Sequence, residues 1–243
     1  MAIMLNKRIE GSAQTNQSVN RQRIYTNDGN PALIKLLDRD CRRVLDIGCG
    51  AGDGAALVKR WSPECRVFGI TRTPREATLA MAHMEQCWVF DIESELPAEL
   101  AGQSFDALIF SHVLEHLIEP GAALARLADL LRPGGQFLIA VPNVVFWRRR
   151  VKFLLGRFDY EATGVGQDDT HLRFFTYFTS DRHLLSLAPQ LRIRFKGVAG
   201  SVPLWCLRRH VLPRAWCDRI DAWGSLRWPN LFGNQILIEG IKG

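Results

Sequence analysis

Val44-Leu45-Asp46-Ile47-Gly48-Cys49-Gly50-Ala51-Gly52-Asp53-Gly54 decides how this chain is read. Arg43 to Ile47 is short, apolar and β-branched, as a buried strand requires, and it carries a carboxylate near its end. Glycines then alternate at 48, 50 and 52, the spacing of a sharp turn that lets a ligand approach the backbone without Cβ atoms in the way. Ala55 to Arg60 opens a helix, so the unit is strand, glycine loop and helix, the entry to a nucleotide-binding α/β fold. The details select the ligand. The dinucleotide fingerprint G-x-G-x-x-G needs glycine where Asp53 stands, and no Gly-Lys-Ser/Thr follows as in a P-loop. Asp46 would oppose a diphosphate seated at the helix start and suits a ligand with a cationic head.

The pattern repeats downstream. Arg66–Ile70 is a second buried strand, followed by Thr73 as N-cap and Pro74 at the first position of a helix running to about His83. Trp88–Phe90 is a third strand ending in Asp91, and Ala107–Phe110 a fourth ending in Ser111-His112. A helix with Leu124, Leu127 and Leu131 on one face stops at Arg132-Pro133-Gly134-Gly135, and Gln136–Val141 is the fifth strand. Alternating strands and helices imply a parallel sheet covered on both faces, with one site beyond the strand tips Asp46, Thr71, Asp91 and Ser111-His112.

After Pro142 the rhythm breaks. Val144–Leu155 reads as a helix closed by Gly156, with Trp147, Val151, Leu154 and Leu155 on one side and Arg148, Arg149 and Lys152 on the other. An irregular polar-aromatic stretch covers 157–178. Ser180 caps a further helix, Leu191–Lys196 and Ile236–Glu239 are late strands, and the Arg/Trp-rich stretch Trp205–Trp228 is helical, with most of its tryptophans packing as an apolar cap. Three regions result: a loose leader over 1–30, a ligand-binding core over 31–142, and a half over 143–243 that completes the sheet and builds the acceptor side.

Composition narrows the class. The chain has 243 residues, 47% hydrophobic and 23% charged, an ordinary globular balance. No apolar run approaches the about 20 residues that span a bilayer, and Met1–Asn20 has no apolar core typical of a signal peptide. The six cysteines show no C-x-x-C spacing, which argues against zinc ribbons and redox dithiols and fits a reduced, cytoplasmic setting. Net charge is +6, but the basic residues are not interleaved with a recognisable RNA-binding module, so no nucleic-acid partner is expected.

On Val44–Gly50, Asp91-Ile92, Phe105-Asp106 through Leu114-Glu115-His116-Leu117, and Leu131–Gly135, the chain resembles class I S-adenosylmethionine-dependent methyltransferases. Val141-Pro142-Asn143, Leu155–Tyr160, Asp169–Thr176 and Pro229–Phe232 further resemble bacterial methyltransferases of surface-polysaccharide biosynthesis. The first resemblance implies a Rossmann-like sheet of seven strands, the last antiparallel, with helices on both faces. It implies that Asp46 and Gly48 hold the methionine ammonium, that Gly50 and Gly52, flanking Cys49, allow close approach, and that Asp91 and Ile92 meet the adenine. Ser111 and His112 would border the methionine end. The family usually carries an acid at the tip of the second strand for the ribose hydroxyls; Thr71 stands there, so its own hydroxyl or a nearby group must serve. The implied reaction is methyl transfer to an oxygen of a saccharide or saccharide-linked acceptor, with His171 the first choice of base, oriented by Asp169, and His112 the second. Alternatives are a quinone or secondary-metabolite methyltransferase, or a non-catalytic S-adenosylmethionine-binding regulator. His112, Glu115, His116 and His171 could build a cation site, but Leu-Glu-His-Leu occurs in this superfamily without metal and none is expected. Arg148, Arg149 and Lys152 are candidate contacts to a membrane surface or a lipid-linked substrate.

Overall fold

A computed structural model of the protein describes residues 29–158 and 170–243. The loose leader therefore lies almost wholly outside the described residues, as does Asp169.

The strands are β1 (Arg43–Ile47), β2 (Arg66–Thr71), β3 (Gln86–Val89), β4 (Phe105–Ser111), β5 (Leu131–Pro142), β6 (Leu191–Gly200) and β7 (Gly233–Lys242). They form one sheet in the order β3-β2-β1-β4-β5-β7-β6. The first five pair in parallel, and β7 runs antiparallel to both β5 and β6. This is the seven-stranded, mostly parallel architecture expected, with β6 and β7 longer than the sequence suggested.

Side chains along each strand alternate between the two faces, so one sheet feeds two cores. Leu45, Ile47, Leu108, Phe110, Phe137, Ile139, Ile236 and Ile238 join one core, together with Leu124 and Leu127 of the helix Pro120–Leu127. Val44, Ala107, Ile109, Leu138 and Leu237 join the other, with Ala55 and Val58 of the helix Asp53–Trp61. Asp46 alternates with Val44 and so shares the face of that second helix.

Several boundaries differ from the sequence reading. Leu131 does not extend the helix face; a 3-10 turn at Ala128–Leu130 ends it and Leu131 already opens β5. Thr179, not Ser180, precedes the helix Ser180–Leu185, and neither hydroxyl caps it. The helix after Pro142 spans only Trp147–Leu154, and most of its apolar side is not buried: Trp147 is half-buried, but Leu154 is 87% exposed, and Val151 and Leu155 are exposed as well. Trp205–Trp228 is helical, over Trp205–Val211 and Arg214–Arg227, yet Trp205, Trp216, Trp223 and Trp228 lie exposed instead of packing as an apolar cap. An amphipathic pattern marks a face as apolar without saying that anything covers it.

The turn after β5 ties the late strands to the parallel sheet. The fully buried Asn143 amide donates to the carbonyls of Asn230 (3.1 Å) and Gly233 (2.8 Å), while its Oδ1 accepts from the Val145 N–H (3.3 Å). Asn143→Ala should lower stability by about 2–4 kcal/mol, because two carbonyls lose their donor inside the fold. Urea unfolding of the two proteins checks this; a midpoint unchanged from wild type would show that the ties contribute nothing.

Candidate functional site

The glycine loop lies where β1 ends. The Gly48 and Cys49 N–H groups both donate to the Ile70 carbonyl, at 2.8 and 3.0 Å, which pins the loop to β2. Gly48, Gly50 and Gly52 have φ of 71°, 51° and 93°, the left-handed region in which a side chain is strained. At Gly48 a Cβ would also strike Val113, and at Gly54 it would come within 2.6 Å of Asp46 Oδ2. The loop is thus kept bare on both flanks, and the helix start yields to the Asp46 carboxylate.

Asp46 is 4% exposed, and among the described residues no cation or hydrogen-bond donor pairs with its side chain. Burial, with a smaller contribution from the charge of Asp53, lifts its pKa from 3.8 to about 7. When ionised, such a group could hold a cation. Cys49 lies in the same loop with its sulfur 3.6 Å from that of Cys87.

The other strand tips are as follows. Thr71 is buried and donates its hydroxyl to Glu76 Oε2 at 2.6 Å. Asp91 is half exposed; its Oδ1 accepts the Glu93 N–H at 3.0 Å and its Oδ2 lies 3.5 Å from Arg72. The adjoining Ile92 is buried, its carbonyl receiving Arg126 at 2.7 Å. Ser111 ends β4 and receives the Asn30 amide at 3.4 Å.

Beyond β4 the chain makes a tight turn around a fully buried carboxylate, Glu115. His112 has φ 55°, an uncommon conformation for a side-chain-bearing residue. That turn puts its Nδ1 3.3 Å from Glu115 Oε1 and its Nε2 2.9 Å from Gln235 Oε1. Burial alone would lower the His112 pKa, but the hydrogen bond and charge of Glu115, with the bond to Gln235, outweigh it and raise it. Burial likewise works against the Glu115 carboxylate, and His112 and His116 reverse it, holding its pKa below the usual range. His171 Nε2 lies 3.9 Å from Glu115 Oε1, and its ring meets that of His116 edge-on at 4.7 Å between centroids. The segment carrying His171 is fixed by the backbone, since the Leu172 and Arg173 N–H groups donate to the Glu115 carbonyl (2.8 and 3.0 Å). Glu115, His116 and His171 offer ligand atoms all within 4.8 Å of one another and could hold a divalent cation.

The structure therefore gathers Asp46, Gly48, Cys49, Gly50, Gly52 and Thr71 about one loop, and His112 and His171 about Glu115. Glu76, Asn30 and Gln235 were missed by the sequence reading. Thr73-Pro-Arg-Glu76 is a capping-box signature that could have flagged Glu76; nothing local marks Gln235, which reaches His112 only through β7.

A glycine cradle beside an unpaired buried carboxylate, at the carboxyl ends of a 3-2-1-4-5-7-6 sheet, defines a class I S-adenosylmethionine-dependent methyltransferase. The methyltransferase domain family model matches residues 19–184, and the chain belongs to that family. The cofactor of this class is S-adenosylmethionine, and the cradle fits it: bare backbone for a close approach, and an anion for the methionine ammonium.

Among curated proteins, the ubiquinone biosynthesis O-methyltransferase of Cereibacter sphaeroides is 35% identical over 104 residues, covering 42% of this chain and 41% of that protein. The trans-aconitate 2-methyltransferase of Deinococcus radiodurans is 35% identical over 105 residues, covering 43% and 40%. The match thus spans about two-fifths of the length of those relatives. Among solved structures, a methyltransferase from Archaeoglobus fulgidus aligns with TM-score 0.54 at 20% identity, covering 84% of this chain and 87% of that one. An O-methyltransferase from a Brevibacillus brevis polyketide synthase, solved with S-adenosyl-L-homocysteine, gives 0.52 at 17%, covering 88% and 70%.

The raised Asp46 pKa makes a signed prediction. Its native value of about 7 exceeds the ordinary 3.8, so the folded protein holds a proton that the unfolded chain has lost, and stability falls as pH rises between them. A cationic ligand needs the ionised form. Affinity for S-adenosylhomocysteine should therefore rise roughly tenfold per pH unit below about 7 and level off above it. Calorimetry across that range checks this, and Asp46→Asn should both weaken binding and flatten the profile. A wild-type profile already flat would remove Asp46 from the ammonium site.

Proposed function

We propose that this chain is an S-adenosylmethionine-dependent O-methyltransferase acting on a hydroxyl of a small molecule of the quinone or secondary-metabolite kind. The carrying observation is the buried Glu115 with three imidazoles around it, at the end of β4 next to the cofactor cradle. Relatives named for ubiquinone biosynthesis and trans-aconitate methylation support a small acceptor. In this reading residues 31–142 hold the cofactor and residues 143–243 build the acceptor side.

When bound, S-adenosylmethionine supplies a methyl group already activated by its sulfonium. The chain's own residues do the rest. Asp46 and the Gly48 backbone hold the ammonium, Gly50 and Gly52 admit the cofactor closely, Asp91 and Ile92 meet the adenine, and Ser111 borders the methionine end. His171 takes the acceptor hydroxyl proton as its oxygen attacks. Glu115 supplies charge that stabilises the resulting imidazolium; Asp169, expected to orient His171, lies outside the described residues. His112, bonded to Glu115, keeps that carboxylate oriented.

The saccharide acceptor is a second reading, and it rests on the narrower sequence resemblance. Several residues of that motif serve the scaffold: Asn143 ties β5 to the start of β7, Phe175 is buried beside it, and Arg173 donates to the Ile118 carbonyl at 2.9 Å. A motif so employed says little about the acceptor, which is why the small-molecule reading leads. The regulator alternative has no use for the Glu115 cluster. Arg148, Arg149 and Lys152, on a helix that leaves Leu154 exposed, belong to the same proposal as a contact for a lipid-bearing acceptor or an anionic membrane surface. No helix among the described residues is long and apolar enough to cross a membrane. Cytoplasmic placement is part of the reading.

Turnover is measured as S-adenosylhomocysteine release with hydroxylated quinols, hydroxy acids and nucleotide sugars as acceptors. His171→Ala should lose about 100-fold or more in turnover while cofactor affinity stays within twofold. Undiminished turnover would remove His171 from the base role, and turnover confined to sugars would exchange the two acceptor readings. Activity should survive dialysis against a chelator; loss restored by a divalent ion would assign the cluster to a metal.

A further inference from the structure

Between β6 and β7 the chain inserts two helices, Trp205–Val211 and Arg214–Arg227, before the short helix Pro229–Phe232 leads into β7. The longer helix packs in the reverse of the usual surface arrangement. The side it turns to the protein is small or polar: Cys217, Gly224 and Ser225 are its buried residues. A Cβ on Gly224 would come within 2.3 Å of Val202, so the close approach requires glycine. Asp221 Oδ1 accepts the Val202 N–H at 2.8 Å and the Arg208 guanidinium at 2.7 Å, which fixes the rotation of the helix. Trp216, Arg219, Trp223 and Leu226, at spacings of three and four, share the opposite side. All four are exposed, Trp223 by 59% and Leu226 by 85%.

The shorter helix adds to the same surface. Leu204, Leu207 and Val211, again three and four apart, are exposed. Trp228, which closes the longer helix, meets Trp223 edge-on at 5.1 Å between centroids. Cations accompany the rings: the Arg209 guanidinium stands 4.5 Å from the centroid of Trp205, and that of Arg227 5.5 Å from Trp228. Residues 204–228 carry Arg208, Arg209, Arg214, Arg219 and Arg227 against Asp218 and Asp221. Arg208 and Asp221 pair with each other, and none of the other four arginines has an ion-pair partner among the described residues. Large apolar side chains so exposed within one stretch mark a contact surface.

Charge selects the occupant. A second copy of the chain meeting this surface face to face would set arginines against arginines. A bilayer with anionic headgroups meets both needs at once, phosphates for the guanidinium groups and the acyl boundary for indoles and leucines. Indoles favour that boundary because the ring is apolar and its N–H polar. The 14 residues of the longer helix reach about 21 Å, too short to cross a membrane and suited to lying along its surface.

We propose that the insertion between β6 and β7 is a membrane-surface module: Trp216, Trp223 and Leu226 enter the headgroup layer of an anionic bilayer, and Arg219 and Arg227 hold its phosphates. This is a different element from the helix Trp147–Leu154, and it does not depend on which acceptor is methylated.

The test is co-sedimentation of the full chain with vesicles of phosphatidylcholine alone and of equal parts phosphatidylcholine and phosphatidylglycerol. Thermal melts confirm folding, and light scattering gives the oligomeric state. Wild type should bind the mixed vesicles at least about tenfold more tightly, since each arginine at an anionic surface contributes roughly fivefold. Trp216→Ser with Trp223→Ser, and separately Arg219→Gln with Arg227→Gln, should each keep the wild-type melt and lose about tenfold or more on the mixed vesicles. All four side chains are exposed, so neither double variant disturbs a core. Wild-type protein that ignores both vesicles would overturn the inference, as would either variant binding like wild type. Wild-type dimers that the tryptophan variant turns into monomers would assign the surface to a second copy instead.

Discussion

A carboxylate buried without a partner is costly, and Asp46 imposes that cost on the centre of the sheet. β1 is flanked by β2 and β4, so its end can be placed accurately but cannot retreat to solvent. Among the described residues, the surroundings supply nothing to offset the charge, and burial lifts the pKa of the group to about 7. Gly54 gives up a side chain where one would touch the carboxylate, the loop glycines hold a conformation strained for other residues, and the Ile70 carbonyl fixes the loop from the neighbouring strand. Stability is given up at this one point of the sheet.

The far side of the site follows a related logic with a different outcome. Glu115 is buried more completely than Asp46, yet histidines surround it, and the net effect is to hold it ionised. The turn from His112 to His116 does two things at once. Its strained first residue aims an imidazole at Glu115, and its Glu115 carbonyl receives the backbone of the segment that carries His171. The segment carrying His171 is thereby clamped to the turn after β4 through main-chain hydrogen bonds. One carboxylate is thus left without a partner among the described residues, and the other is surrounded by imidazoles.

What the sequence disclosed was local. β1, the glycine loop, β2 and the Thr73-Pro74 helix start depend on residues within a few positions of one another, and each lies where the pattern placed it. Long-range partners were not legible. Gln235 meets His112 only because β7 inserts beside β5, and Glu76 meets Thr71 only because the helix turns back over the strand tip. Asn30, assigned to a loose leader, caps the helix Pro31–Ile34 and bonds Gln235 at 2.8 Å. The amphipathic helix Trp147–Leu154 failed in the opposite way: its period was right, but beyond the half-buried Trp147 its apolar side, Val151, Leu154 and Leu155, stays exposed.

The same distinction bears on how acceptors are inferred from motifs. A conspicuous string of residues can be fixed by the scaffold alone, as Asn143, Arg173 and Phe175 are here, each satisfying backbone groups or filling the core. Such a string reports on the scaffold and says little about an acceptor. Exposed aromatic side chains are concentrated in the second half of the chain, at Trp205, Trp216, Trp223 and Trp228, where the fold gives them no core to fill.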